Sequence, residues 1–239
     1  MKPSRRNLFT AAAGLGAATL VSVPASASAG SLALKEGVRT ALTPDEALAL
    51  LKEGNASYRT DSPVRTAIGR ERRLEIALSQ APFAAYVSCS DSRVSPEILF
   101  GRGLGELFII RNAGNTVDTV AMGSIEYAVA QLGVPLIVIM GHERCGAVSA
   151  AVSVVEENAR FPGSIGPMIE PIIPAVLEAR GQPGDLLANA IRANVRRTVA
   201  RLRTAASPLL LDPQRQGRLK VVGADYDLDT GDVDFFDEP

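Results

Sequence analysis

The chain has no tryptophan, a single histidine and only two cysteines in 239 residues, and aromatic residues make up 5% of it. Two cysteines are too few for a disulfide scaffold, so stability has to come from a packed core. A formal net charge of −1 offers no basic face for nucleic acid or an anionic membrane surface. A lone imidazole excludes any site that needs one histidine on a metal and a second as proton carrier. No internal repeat is visible. With so few thiols and imidazoles, the positions they occupy become informative.

All three fall in two short stretches, Ser88-Cys-Ser-Asp-Ser-Arg-Val94 and Gly141-His-Glu-Arg-Cys-Gly146. Each stretch follows an apolar run that reads as a buried strand, Phe83 to Val87 and Pro135 to Met140. Open parallel sheets collect ligands where loops leave the carboxyl ends of strands. Cys89, His142 and Cys145 supply three ligands suited to zinc, with a fourth tetrahedral position left for water, as in a catalytic site. Zinc lowers the pKa of such a water from about 15.7 to about 7. His142 and Cys145 stand three apart, so a helix starting at this turn would face both to one point. Asp91 has two readings open: fourth ligand to the metal, or acceptor for the activated water. Arg93 can clamp it in a bidentate pair.

Each residue taken singly has a plainer reading. A free cysteine is often a small buried hydrophobe, and an Asp–Arg pair in a turn contributes about 0–1 kcal/mol. A Cys89–Cys145 disulfide is the main structural rival. The coincidence at two equivalent strand ends favours the metal.

Cys89-Ser-Asp-Ser-Arg93 and Gly141-His-Glu-Arg-Cys-Gly-Ala-Val148 resemble the two signature motifs of β-class carbonic anhydrases. The resemblance runs over roughly residues 43–237, through Leu107-Phe-Ile-Ile-Arg-Asn-Ala-Gly-Asn115 and Tyr226-Asp-Leu-Asp-Thr-Gly231. It implies one zinc ion per chain on Cys89, His142 and Cys145, with Asp91 as fourth ligand or paired with Arg93. It also implies a homodimer or a dimer-based larger assembly with sites near the subunit boundary, and an N-terminal helical arm packed on the partner. The implied activity is reversible hydration of carbon dioxide to bicarbonate and a proton. Two departures stand out. Arg102 lies near the position where many members place a glutamine that lines the pocket from across the dimer. The absence of tryptophan removes part of a bicarbonate-inhibited site found in some members.

Ser4-Arg-Arg-Asn-Leu-Phe9 sets twin arginines before an apolar run from Leu8 to Val23, broken at Pro24, with small residues at Ala25-Ser-Ala27 and Ala27-Ser-Ala29. Residues 1–30 therefore read as a twin-arginine signal peptide, 31–42 as a linker and 43–239 as the enzymatic domain. The run falls short of the roughly 20 apolar residues a span requires. The expected location is periplasmic or extracellular, with no stable membrane insertion after cleavage.

Within the domain, Thr43-Pro-Asp-Glu46 opens a helix with an N-cap, Pro at its first position and a capping box. A second helix is predicted over 70–79, strands over 83–87, 107–111, 135–140, 219–223 and 233–236, and helices near 118–132, 145–159, 168–180 and 185–206. The 107–111 strand is nearly all apolar, as for a parallel strand covered on both faces. Asp229-Thr-Gly-Asp232 predicts a hairpin into an antiparallel edge strand. The fold class is α/β: a central sheet of four parallel strands plus that antiparallel edge strand, with helices on both faces. The arginines of 185–206 (Arg192, Arg196, Arg197, Arg201 and Arg203) read as a solvated helix face rather than a polyanion site.

The expected chemistry is attack of zinc-activated water on carbon dioxide held in a small apolar pocket. Two other readings share these residues: a carbon disulfide or carbonyl sulfide hydrolase on the same fold, and a zinc- or bicarbonate-binding module without turnover. The Asp91–Arg93 pair argues against the module, since a storage site needs no oriented carboxylate.

Overall fold

The computed structural model describes residues 39–62 and 66–239. The signal peptide read over 1–30 and most of the 31–42 linker lie outside the described residues. Helix α1 (Pro44–Arg59) starts at the expected cap, where the Thr43 side chain accepts from the Glu46 backbone N–H and the Glu46 carboxylate accepts from the Thr43 N–H. Then come α2 (Arg70–Glu75), β1 (Ala84–Cys89), α3 (Pro96–Leu99), β2 (Leu107–Asn112), α4 (Thr119–Ala130), β3 (Leu136–His142) and α5 (Gly146–Glu157). The remainder is α6 (Ile165–Ile169), a 3-10 turn, α7 (Ile173–Ala179), α8 (Leu186–Arg203), α9 (Pro208–Arg215), β4 (Lys220–Tyr226) and β5 (Val233–Asp237).

The sheet order is β2-β1-β3-β4-β5, parallel except for the antiparallel β4–β5 pair. After β1 the chain steps outward to β2, then crosses back over β1 to lay down β3. The order therefore reverses between β1 and β3, and the crevice at their carboxyl ends is the switch point of the sheet. Both strands are buried along their whole length, which is why they read as continuous apolar runs.

Strand alternation divides the core in two. Tyr86, Val138, Met140 and Val222 face α1 and α3. Val87, Ile137, Ile139 and Val221 face α4, α8 and α9. Gly54 of α1 lies so close to α3 that a Cβ there would stand 2.0 Å from the Phe100 carbonyl oxygen. That neighbour is backbone, so it cannot swing aside. Gly54→Ala is expected to destabilise the domain by about 3 kcal/mol, read as a lower urea midpoint with an unchanged slope.

Several expectations need correction. The helix predicted over 70–79 closes at Glu75 with none of its residues buried, and Leu78 beyond it is 99% exposed. A short helix with no face to bury is not prolonged by propensity alone. The β2 strand, expected to be covered on both sides, is an outer edge and only half-buried. The segment expected as one helix over 168–180 is split at Glu170–Ile172, because Pro171 and Pro174 each lack an N–H for the ladder. Helices α3 and α9 had no counterpart in the sequence reading.

The α8 arginines are engaged rather than merely solvated. Arg192 pairs with Asp234 at 2.9 Å and stacks on Phe236, and Arg197 pairs with Glu178 at 3.2 Å. Arg201 donates to the Val117 carbonyl at 2.6 Å. Arg203 donates to the Val221 carbonyl at 2.7 Å and pairs with Asp237 at 2.7 Å, tying edge strand β5 to the helix. Among the described residues no helix is long and apolar enough to cross a membrane.

Candidate metal centre

Cys89 ends β1 and His142 ends β3, so the parallel pairing of these strands brings the two residues to the same end of the sheet. Arg144, with a left-handed φ of 51°, then turns the chain so that Cys145 becomes the N-cap of α5. His142 and Cys145 thus meet across a strand-to-helix turn, not along one helix as the spacing alone allowed. The ligand atoms of Cys89, His142 and Cys145 all lie within 4.8 Å of one another, and all three residues are buried.

The donor set fits a zinc ion. The two sulfurs are 3.9 Å apart and both cysteines are free, far from the ~2.05 Å of a disulfide bond. Two sulfurs bound tetrahedrally at about 2.3 Å from one zinc ion would stand about 3.8 Å apart. The His142 ring is fully buried, with Nδ1 donating to the Glu143 carbonyl at 2.8 Å. That bond sets the tautomer and leaves the Nε2 lone pair to face the thiols without a partner. A buried polar atom left unpaired costs about 1–3 kcal/mol, a cost that a metal bond removes.

The pair of thiols is poised for a soft cation. The S–H that Cys145 donates holds the Cys89 thiol well below the ordinary cysteine range, and the backbone N–H groups of Gly114 and Asp91 add to this. Cys145, which carries the shared proton, is held up by the same bond and by burial. The Gly114 N–H lies 3.4 Å from the Cys89 sulfur.

Asp91 and Arg93 come together at the mouth. Arg93 Nε and Nη2 donate to the two carboxylate oxygens of Asp91 at 2.9 and 2.7 Å, and the Arg93 backbone N–H adds a third bond at 3.0 Å. This guanidinium, with the Arg93 backbone N–H, holds the Asp91 carboxyl well below the usual carboxylate range. Asp91 Oδ2 stands 3.9 Å from His142 Nε2, so the carboxylate borders the three-ligand cluster while engaged by arginine. The Asp91 carboxylate is thus paired with arginine, one of the two arrangements open to it.

Two residues that matter here were given no role from sequence. Arg111 donates to the Cys89 carbonyl at 2.9 Å and to the Asp91 carbonyl at 2.7 Å, holding the loop between them. Asp225 lies beside Gly141 on β4, where burial raises its carboxyl to about 6. A charged residue inside an otherwise apolar strand was the available signal for both. Arg102, set near a pocket position by the resemblance, donates to the Leu50 carbonyl at 3.1 Å and the Phe100 carbonyl at 2.9 Å.

Comparison with known proteins adds an independent line. The carbonic anhydrase family profile matches residues 84–233. A carbonic anhydrase of Mycolicibacterium smegmatis is 38% identical over 191 residues, covering 80% of this chain and 92% of that protein. Carbonic anhydrase 2 of Mycobacterium tuberculosis is 38% identical over 188 residues, covering 79% and 90%. Among solved structures, a β-carbonic anhydrase of Aspergillus fumigatus superposes with a TM-score of 0.62 at 28% identity, covering 82% of this chain and 92% of that one. The Coccomyxa β-carbonic anhydrase in complex with acetazolamide gives 0.59 at 29% identity, covering 82% and 87%. On these matches, which agree with a site built from its own residues, the chain belongs to the β-carbonic anhydrase family.

Proposed function

We propose that this carbonic anhydrase hydrates carbon dioxide reversibly to bicarbonate through one zinc ion per chain, held by Cys89, His142 and Cys145. The observation that carries the metal assignment is the buried, unpartnered Nε2 of His142 facing two free thiols. Zinc bound there would supply a Lewis acid that brings the pKa of a water near 7.

The chain's own residues do the rest. Asp91, kept ionised, accepts a hydrogen bond from the reacting water and orients it toward the carbon. Arg93 fixes both carboxylate oxygens and keeps Asp91 out of the metal's coordination. Glu143 holds the His142 ring through its carbonyl, so that Nε2 points inward. The proton released on each turn has no histidine to carry it, because the single imidazole is committed at both nitrogens. It leaves through Asp91 and solvent to external buffer. Turnover is therefore expected to rise with buffer concentration at fixed pH and ionic strength, read by stopped-flow hydration. A rate independent of buffer would mean an internal relay.

Stopped-flow hydration before and after zinc removal, with metal content measured on the same sample, tests the assignment. Zinc-dependent hydration supports it, and protein with one zinc per chain but no hydration overturns it. The sulfur-substrate and binding-module readings have no specific observation in their favour.

The assembly we propose is a homodimer or a dimer-based oligomer. It is supported by the edge position of β2 among the described strands and by the similarity to a tetrameric β-carbonic anhydrase of Sordaria macrospora, at 27% identity and a TM-score of 0.61 over 68% of this chain and 84% of that one. We also propose export by the twin-arginine route, on the motif at Arg5 and Arg6 ahead of the apolar run. A double Arg5→Lys, Arg6→Lys variant that reached the periplasm as efficiently as the parent would refute it.

A further inference from the structure

Asn194 lies on the buried stripe of α8 among Ala190, Ile191, Val195 and Val199, and is 4% exposed. An amide in such a stripe is costly unless it is bonded. Its Nδ2 donates to the Gly114 carbonyl at 3.0 Å. Gly114 itself is closely packed. With φ at +80°, a Cβ added there would stand 2.6 Å from Ile172 Cδ1 and 3.0 Å from Ala147 Cβ. Wedged on one side and held by its carbonyl on the other, the residue aims its N–H at the Cys89 sulfur, 3.4 Å away. An N–H donated to a metal-bound thiolate draws charge from the sulfur and changes what it gives to the metal.

We propose that Asn194 is a positioning residue for the metal centre: through the Gly114 carbonyl it holds the N–H that bonds Cys89 Sγ, and so sets the donor strength of that thiolate. This rests on the reading of Cys89, His142 and Cys145 as metal ligands. Asn194 touches none of the three; it acts on one of them through a single turn.

The test uses full-length protein loaded with cobalt(II), whose thiolate-to-metal charge-transfer bands report on sulfur directly. In Asn194→Ala the band is expected to move to longer wavelength, and metal retention against a chelator to weaken about tenfold. Val199→Ala removes side-chain volume from the same buried stripe without touching the Gly114 turn, and its band is expected to stay in place. If Asn194→Ala does not fold, Asn194→Leu, of nearly the same volume, carries the same measurement. An unmoved band in the Asn194 variant, or an equal shift in Val199→Ala, overturns the inference. In wild-type protein loaded with an NMR-active cadmium isotope, the Gly114 amide proton should couple to the metal through the Cys89 sulfur. Absence of that coupling also overturns the inference. Wild-type protein that takes up no cobalt would overturn the metal reading and this inference together, whereas a loaded wild type with an identical Asn194→Ala spectrum would remove this inference alone.

Discussion

Replacing Asp91 with asparagine is expected to lower kcat/KM for carbon dioxide hydration by about 100-fold, with circular dichroism and the thermal midpoint nearly unchanged. The side chain is close to isosteric, but it loses one acceptor and turns an N–H group toward the Arg93 guanidinium, which is itself only a donor. The reacting water then has no oriented acceptor. Near wild-type turnover would remove Asp91 from the chemistry. Arg93→Ala separates the two services that arginine could perform. An unperturbed aspartate has a pKa of about 3.9, so even without Arg93 the carboxylate stays ionised at pH 6.5 and above. The depressed carboxyl of the wild type adds nothing to ionisation in that range. Arg93→Ala should therefore reduce kcat/KM through lost orientation while leaving the pH profile between 6.5 and 9 unshifted. The sign for stability runs the same way. A lowered folded-state pKa favours folding above the unfolded value, and that contribution is withdrawn only as the pH falls below about 4.

Cys145→Ser is expected to abolish zinc retention and bring hydration to the uncatalysed background. Serine is a favoured residue at the N-cap position that Cys145 occupies in α5, so the helix should survive and the loss can be read as loss of metal. Zinc content by mass spectrometry and hydration by stopped flow check both halves. The thermal midpoint provides a further sign. In the wild-type chain, metal binds the folded state and pairs the buried His142 Nε2, so added zinc should raise the midpoint and a chelator should lower it. In Cys145→Ser both responses should shrink toward zero. A variant that kept one zinc per chain and its activity would mean that Cys145 is not a ligand.

The chemistry of the centre was legible because it depends on residue type and scarcity. Two thiols and one imidazole at the ends of two apolar runs left few other arrangements, and β1 and β3 are apolar throughout because both of their faces are covered. The N-cap of α1 and the hairpin before β5 were legible for the same local reason, since capping and turn chemistry act within a few residues. The state of Asp91 was not legible. Metal and arginine both attract a carboxylate, and only the folded loop shows the bidentate pairing with Arg93, at 2.9 and 2.7 Å. Nor could the sequence set the length of α2, which had no surface to bury against, or make β2 an edge strand, which depends on strand order. The roles of Arg111 and Asn194 were also out of reach. They join positions far apart in the chain: Arg111 holds the loop after β1, and Asn194 reaches the Gly114 turn from α8. By itself the sequence determined which atoms can hold a metal and on which strand ends they sit, because those follow from composition and short-range pattern. Tertiary structure alone decided how these atoms are oriented and hydrogen-bonded, because the groups that hold them come from strands and helices brought together only by folding.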